Sequence, residues 1–228
     1  MEKLHCASFQ IQSNNQDLVI SKLSTKIFKE GISAAAWVDE NWFIVQNSAY
    51  GQLKYMDISR QEEVPPRLIY ETSTKWKINN FDVNFPFIGI SQDDGDLIIL
   101  DLRDLENDTE ALLQPRFLIN KPGEACMWVN LLKDTLRIYG CYEKSGIYGY
   151  SFEDEQLSWN KTEWHSIYDS LKYGLPKSLH IVQQEKLNKN NEEYCQDILV
   201  VSTYNGTIVY VYTEDSDENE NELQEGCT

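Results

Sequence analysis

Four times along the chain a short run of β-branched and aromatic residues gives way to a polar turn, a glycine and a second apolar run. The glycine-led runs are GQLKYMDI from Gly51, GDLIILDL from Gly95, GIYGYSF from Gly146 and GTIVYVY from Gly206. Before them stand Trp42–Val45, Phe87–Ile90, Leu136–Tyr139 and Ile198–Val201, each of strand length and too short for an ordinary helix. A tight turn between antiparallel strands needs positive φ at one or two positions, and Gly or Asn supplies it at least steric cost. Tyr204-Asn205-Gly206 is the clearest case. With hardly any helical periodicity elsewhere, the chain is read as all-β and built from repeated hairpins.

Successive glycines lie 44, 51 and 60 residues apart. The step drifts upward from the roughly 40–45 residues of a four-stranded propeller blade, and loop insertions account for the drift. The last step carries the polar stretch Glu185 to Asp197, expected as a long solvated loop; a shorter insert, Asp104 to Glu110, precedes Leu112. Residues 33–78, 79–120 and 124–167 each have room for four strands and 177–212 for three, with two more at His5–Gln12 and Leu18–Phe28. That is about seventeen strands, where four blades need sixteen and five need twenty, so the ring is irregular or open. An open ring leaves a sheet edge that another chain would have to cover.

These repeats resemble the WD-repeat family of β-propellers. In SAAAWVDENWFIVQNSAYGQLKYMDI, residues 33–58, Met56-Asp57 stands where the family's Trp-Asp dipeptide falls, and Leu100-Asp101 holds the same place in the second repeat. The third and fourth repeats offer Ser151-Phe152 and Val211-Tyr212 there, and none opens with Gly-His. The resemblance spans about residues 30–213. It implies a small propeller of four to five blades, closed in part by an N-terminal strand joining the last blade, that binds partners on the faces of its ring within a larger assembly. It also leaves room for a hydrolase acting in the central channel, such as a WD-repeat-like methylesterase of the diphthamide pathway.

Twenty basic against thirty-seven acidic side chains give a net charge of −17, which excludes a chain whose main business is binding phosphate or an anionic membrane. Lys22, Lys26 and Lys29 form only a modest basic cluster, so nucleic acid is expected only through a complex. No apolar run approaches the roughly 20 residues of a membrane span, and MEKLHCASFQ lacks the character of a signal peptide. Five cysteines, odd in number and without a C-x-x-C pair, read as free thiols, and the protein is expected in the cytoplasm or nucleus. The sequons at Asn107, Asn160 and Asn205 would matter only in a secreted chain. Residues 1–213 are read as the propeller and 214–228, with seven acids and no base, as a disordered acidic tail that solubilises the chain or meets a basic partner.

No G-x-S-x-G, P-loop, dinucleotide fingerprint or H-E-x-x-H is present, and His5, His165 and His180 lie in no catalytic motif. No catalytic residue, metal ligand or cofactor is assigned. His180 is read as a strand histidine. Adjacent residues on a strand point to opposite faces, which argues against a His5-Cys6 site. Asp93-Asp94-Gly95-Asp96 lacks the spaced ligands of a calcium loop and is read as a hairpin turn, and Glu153-Asp154-Glu155 as a solvated loop. Tyr148 with Tyr150, and Tyr210 with Tyr212, recur at period two and are expected to share a face packed between blades. Trp76, Trp159 and Trp164 sit beside polar and charged residues, are expected on outer strands, and are the partner-binding candidates, since interface anchors are often Trp and Tyr. The function expected is that of a non-catalytic protein-interaction scaffold or adaptor subunit.

Overall fold

The computed structural model describes residues 4–14, 17–28, 32–47, 51–57, 66–72, 76–107, 112–132, 137–151, 170–187, 193–212 and 223–225. They form strands with two single-turn helices, in two compact units: residues 1–78 with 105–114, and 79–104 with 115–228. No described helix is long and apolar enough to cross a membrane.

In the first unit, β1 (Leu4–Asn14) and β2 (Asp17–Phe28) make a two-stranded sheet. They pair with each other, in a register that runs from Leu4↔Phe28 to Asn14↔Asp17. Two strands so close in sequence lose little loop-closure entropy by pairing with each other. The strands β3 (Ile32–Trp37), β4 (Trp42–Asn47), β5 (Gln52–Asp57) and β6 (Arg67–Glu71) follow in spatial order as in sequence. Phe43, Val45 and Met56 form its core cluster, and Ile44, Leu53 and Ile69 are fully buried. The amide of Leu113, from the insert after residue 104, donates to Ile69 O at 2.8 Å.

The second unit holds three sheets. The first is β7 (Ile78–Asn84), β8 (Phe87–Gln92), β9 (Asp96–Asp101) and β10 (Phe117–Asn120). The second is β11 (Cys126–Leu132), β12 (Arg137–Tyr142) and β13 (Gly146–Ser151), three strands among the described residues. The third is β14 (Pro176–Leu187), β15 (Glu193–Thr203), β16 (Ile208–Tyr212) and β17 (Leu223–Glu225). Here the structure corrects one expectation. Glu185 to Asp197 is mostly paired rather than loop, with the β14–β15 register running out to Leu187↔Glu193. An antiparallel ladder satisfies backbone groups whether or not the side chains are buried, so a polar hairpin can prolong a core one. The fourth strand of this sheet comes from the acidic segment, where Leu223 pairs with Val211.

Strand alternation gives β12 two working faces. Ile138 and Tyr142 pack with Leu97 and Ile99 of β9, together with Val129 and Tyr150, while Tyr139 and Cys141 pack with Leu179, Leu199, Val201 and Val209. Tyr148 packs against the same cluster as Tyr150, so that pair shares a face. Gly140 lets two sheets approach: a Cβ there would run into Leu97 Cδ1 at 2.5 Å. All four glycines that open a third strand have positive φ, 60° at Gly51, 92° at Gly95, 94° at Gly146 and 90° at Gly206. Asp57 and Asp101 end β5 and β9 and are buried.

Candidate interaction site at the hairpin ends

Where each third strand begins, the hairpin is held against the loop that connects one sheet to the next. In the first unit the Thr72 amide donates to Gly51 O at 3.0 Å, and Thr72 Oγ1 donates to Trp76 O at 3.3 Å. A side chain at Gly51 would collide with Thr72 Oγ1 at 2.5 Å, so the hairpin and the connection are seated backbone to backbone. Trp76 therefore lies on the connection before β7, not on an outer strand, and it is 49% exposed. Its main chain is fixed while its indole stays in water, as an aromatic anchor for a partner would be. Trp159 and Trp164 lie outside the described residues.

The second unit repeats the arrangement with different chemistry. The Lys121 amide donates to Gly95 O at 3.3 Å, and a Cβ on Gly95 would run into the Lys121 and Glu124 carbonyls. Asp93 and Asp94 form the turn, with the Asp96 amide donating to Asp94 Oδ1 at 3.2 Å. Glu124 then clasps the next hairpin: Oε2 accepts from the Ser145 amide at 2.8 Å and the Lys144 amide at 3.1 Å, and Oε1 accepts from Ser145 Oγ at 2.6 Å. In the last sheet the Tyr204 amide donates to Leu175 O at 3.0 Å and Asn205 Nδ2 to Tyr173 O at 3.2 Å. Leu175 and Tyr204 are exposed there, at 46% and 64%. Trp76 in the first unit, and Leu175 and Tyr204 in the second, are thus apolar side chains exposed on hydrogen-bonded loops.

Between the sheets of the second unit lie two polar arrangements. The inner edge of β11 is met by side chains of β7. Asn80 Oδ1 accepts from the Val129 amide at 3.3 Å, Asp82 Oδ2 accepts from the Leu131 amide at 2.8 Å, and Asn84 Nδ2 donates to Leu131 O at 3.3 Å. Burial raises the Asp82 carboxyl above its usual range, opposed by hydrogen bonds from Leu131, Val83 and Asn130. Deeper in, the fully buried Asp197 carboxylate accepts from Tyr139 OH at 2.7 Å, Arg137 Nη1 at 3.1 Å and Gln183 Nε2 at 3.2 Å. Burial and the neighbouring Asp197 charge push the Tyr139 phenol up, so it stays a donor. A buried carboxylate so paired fixes one arrangement of the two sheets. His180 is exposed on β14, its ring edge-on to Trp128 at 6.4 Å. Cys126 and Cys141 are free and buried.

The sequence marked Trp76 but neither polar arrangement. A period-two signal was present in Asn80, Asp82 and Asn84, whereas the Arg137–Asp197 pair is 60 positions apart and leaves no local trace.

No protein-family model matches the sequence. No curated protein matches it either. Among solved structures, the chain is similar to the β-propeller domain of Cps50 (Swd1) from Myceliophteria thermophila, with a TM-score of 0.55 and 13% identity over 82% of this chain and 59% of that one. It is similar to a putative 6-phosphogluconolactonase from Bacteroides uniformis, with a TM-score of 0.53 and 10% identity over 96% of this chain and 76% of that one. The C-terminal WD40 domain of Sif2 aligns with a TM-score of 0.45 and 11% identity over 82% of this chain and 45% of that one. The chain spans 59% of the length of the first of these. The sheets are blades of a β-propeller fold, with Met56-Asp57 and Leu100-Asp101 at the ends of third strands.

Proposed function

We propose that the chain is a non-catalytic interaction subunit that holds protein partners through the loops at the hairpin ends of its blades, in the cytoplasm or nucleus. The observation that carries this reading is Trp76, an indole left 49% exposed on a backbone pinned by Thr72 and Gly51. A large side chain held ready on a fixed loop loses little entropy when a partner covers it. The net charge of −17 favours a partner with a basic or neutral contact face. Trp159 and Trp164 are proposed as further contacts. The test is affinity purification of the tagged full chain from its native cell at moderate salt, with the mass of the complex measured. A stoichiometric partner is expected, and Trp76→Ala should weaken its capture by about tenfold or more, as loss of a hot-spot residue does, with the melting temperature unchanged. Recovery of the wild type as a lone monomer overturns the reading.

A second reading, hydrolysis of a small ester or lactone, draws on the likeness to a putative 6-phosphogluconolactonase, with Asp82, a half-buried carboxyl raised above its usual range, as the residue to test. Turnover of small esters or lactones by the purified chain, abolished by Asp82→Asn, would favour it over the scaffold.

A further inference from the structure

Lys121 begins the loop between β10 and β11, and its ammonium lies against two tyrosine rings. Its Nζ lies 2.7 Å from the Tyr148 ring centroid and 4.9 Å from that of Tyr142. The two rings meet edge to face, 5.7 Å apart and 85° between planes, and so form a corner with a π-face on each wall. Tyr142 is fully buried, its ring covered on this side by the Lys121 side chain, while Tyr148 and Lys121 are half-buried and reach the surface of the loop. Glu124 stands three residues along the same loop, its carboxylate fixed by Ser145 and the Lys144 amide, and adds negative potential at the mouth.

We infer that the Tyr142–Tyr148 corner is a binding site for a trimethylammonium group, closed in the resting protein by Lys121. Two π-faces at right angles with a carboxylate nearby suit a cation of low hydration. A trimethylammonium gives up no N–H hydrogen bonds on entering and covers more of both rings than a primary ammonium. Lys121 is tethered beside the corner and so competes at high effective concentration. Removing it should raise affinity without altering the walls. The site is independent of the interaction-subunit reading, because its ligand is a small cation that binds whether or not a protein partner is found.

The test titrates the full chain with tetramethylammonium chloride at constant ionic strength and follows saturation transfer to the methyl protons. Lys121→Ala should bind at least tenfold more tightly than wild type, and adding Tyr148→Ala should abolish that gain. A Lys121→Ala variant no tighter than wild type overturns the inference, as does a double variant that binds as tightly as the single. Should Lys121→Ala fail to fold, the wild type alone decides the matter. Filling the corner displaces Lys121, so its labelling by an N-hydroxysuccinimide ester should rise as tetramethylammonium is added, and labelling that does not change overturns the inference. Choline and a peptide bearing trimethyl-lysine, run in parallel on Lys121→Ala, tell a free source of the group from a protein-borne one by which binds more tightly.

Discussion

Replacing Arg137 by methionine leaves the stem volume in place and removes the guanidinium bonded to Asp197. The carboxylate is fully buried and keeps two neutral donors, Tyr139 OH and Gln183 Nε2. Breaking a buried ion pair by deleting one partner costs about 3–5 kcal/mol. Arg137 is itself 23% exposed at the side chain, which lets some water reach the site and puts the expected loss near the lower end, about 3 kcal/mol. For a chain of this size each kcal/mol moves the melting temperature by about 2–4 °C, so a fall of about 6–12 °C is expected in circular dichroism melts. Tyr139→Phe removes one hydrogen bond to a charged group and should cost about 1.5–3 kcal/mol. The decisive variant is Arg137→Met with Asp197→Asn, which removes the charge along with its partner and should recover part of the loss. If Arg137→Met loses less than about 1 kcal/mol, or the double variant is no more stable than the single, the carboxylate is not the stranded charge described here and the reasoning fails.

Gly95→Ala forces an L side chain to φ 92° and drives its Cβ into two backbone carbonyls that cannot rotate away, so it should cost about 3 kcal/mol or more in urea unfolding. Gly206→Ala has the same strained φ but nothing within 4 Å of the new Cβ and should cost clearly less, so equal losses would refute the packing argument. Asp82 has its folded pKa raised above the ordinary carboxyl value by burial, so the folded state binds its proton more readily than the unfolded state. Its contribution therefore grows as pH falls toward about 4 and is withdrawn as pH rises through the folded value. Measured against Asp82→Asn, which does not titrate, the wild type should gain stability between about pH 7 and about pH 4; a gap that stays constant or moves the other way would remove Asp82 as the titrating group.

Much of the fold was readable because its punctuation is chemical. Gly51, Gly95, Gly146 and Gly206 stand where positive φ is demanded, and each does open a third strand. Met56-Asp57 and Leu100-Asp101 likewise end the strands expected of them. Polar sequence misled at Glu185 to Asp197, because composition reports burial and the outer part of a hairpin is held by backbone bonds that any residue can make. Trp76 is legible as a candidate, though on a strand; its main chain is held by Thr72, which itself meets Gly51, a contact across 21 positions that no local pattern shows. The Tyr142–Tyr148 corner was half visible, since period two puts Tyr148 beside Tyr150, but Tyr142 and Lys121 arrive from other strands and loops. Long-range pairing is set by register, and register is not written in any single segment.

The side chains that β7 lends to β11 change what the inner edge of that strand can report. An innermost strand turns a row of amides away from its own sheet, and such amides ordinarily trade their hydrogens with solvent in small fluctuations that leave the sheet intact. Here the Val129 and Leu131 amides are bonded to Asn80 and Asp82 of the neighbouring sheet. Their deuterium uptake is thereby tied to separation of two blades rather than to fraying of one, which makes this pair of amides an internal gauge of how cooperatively adjacent blades open.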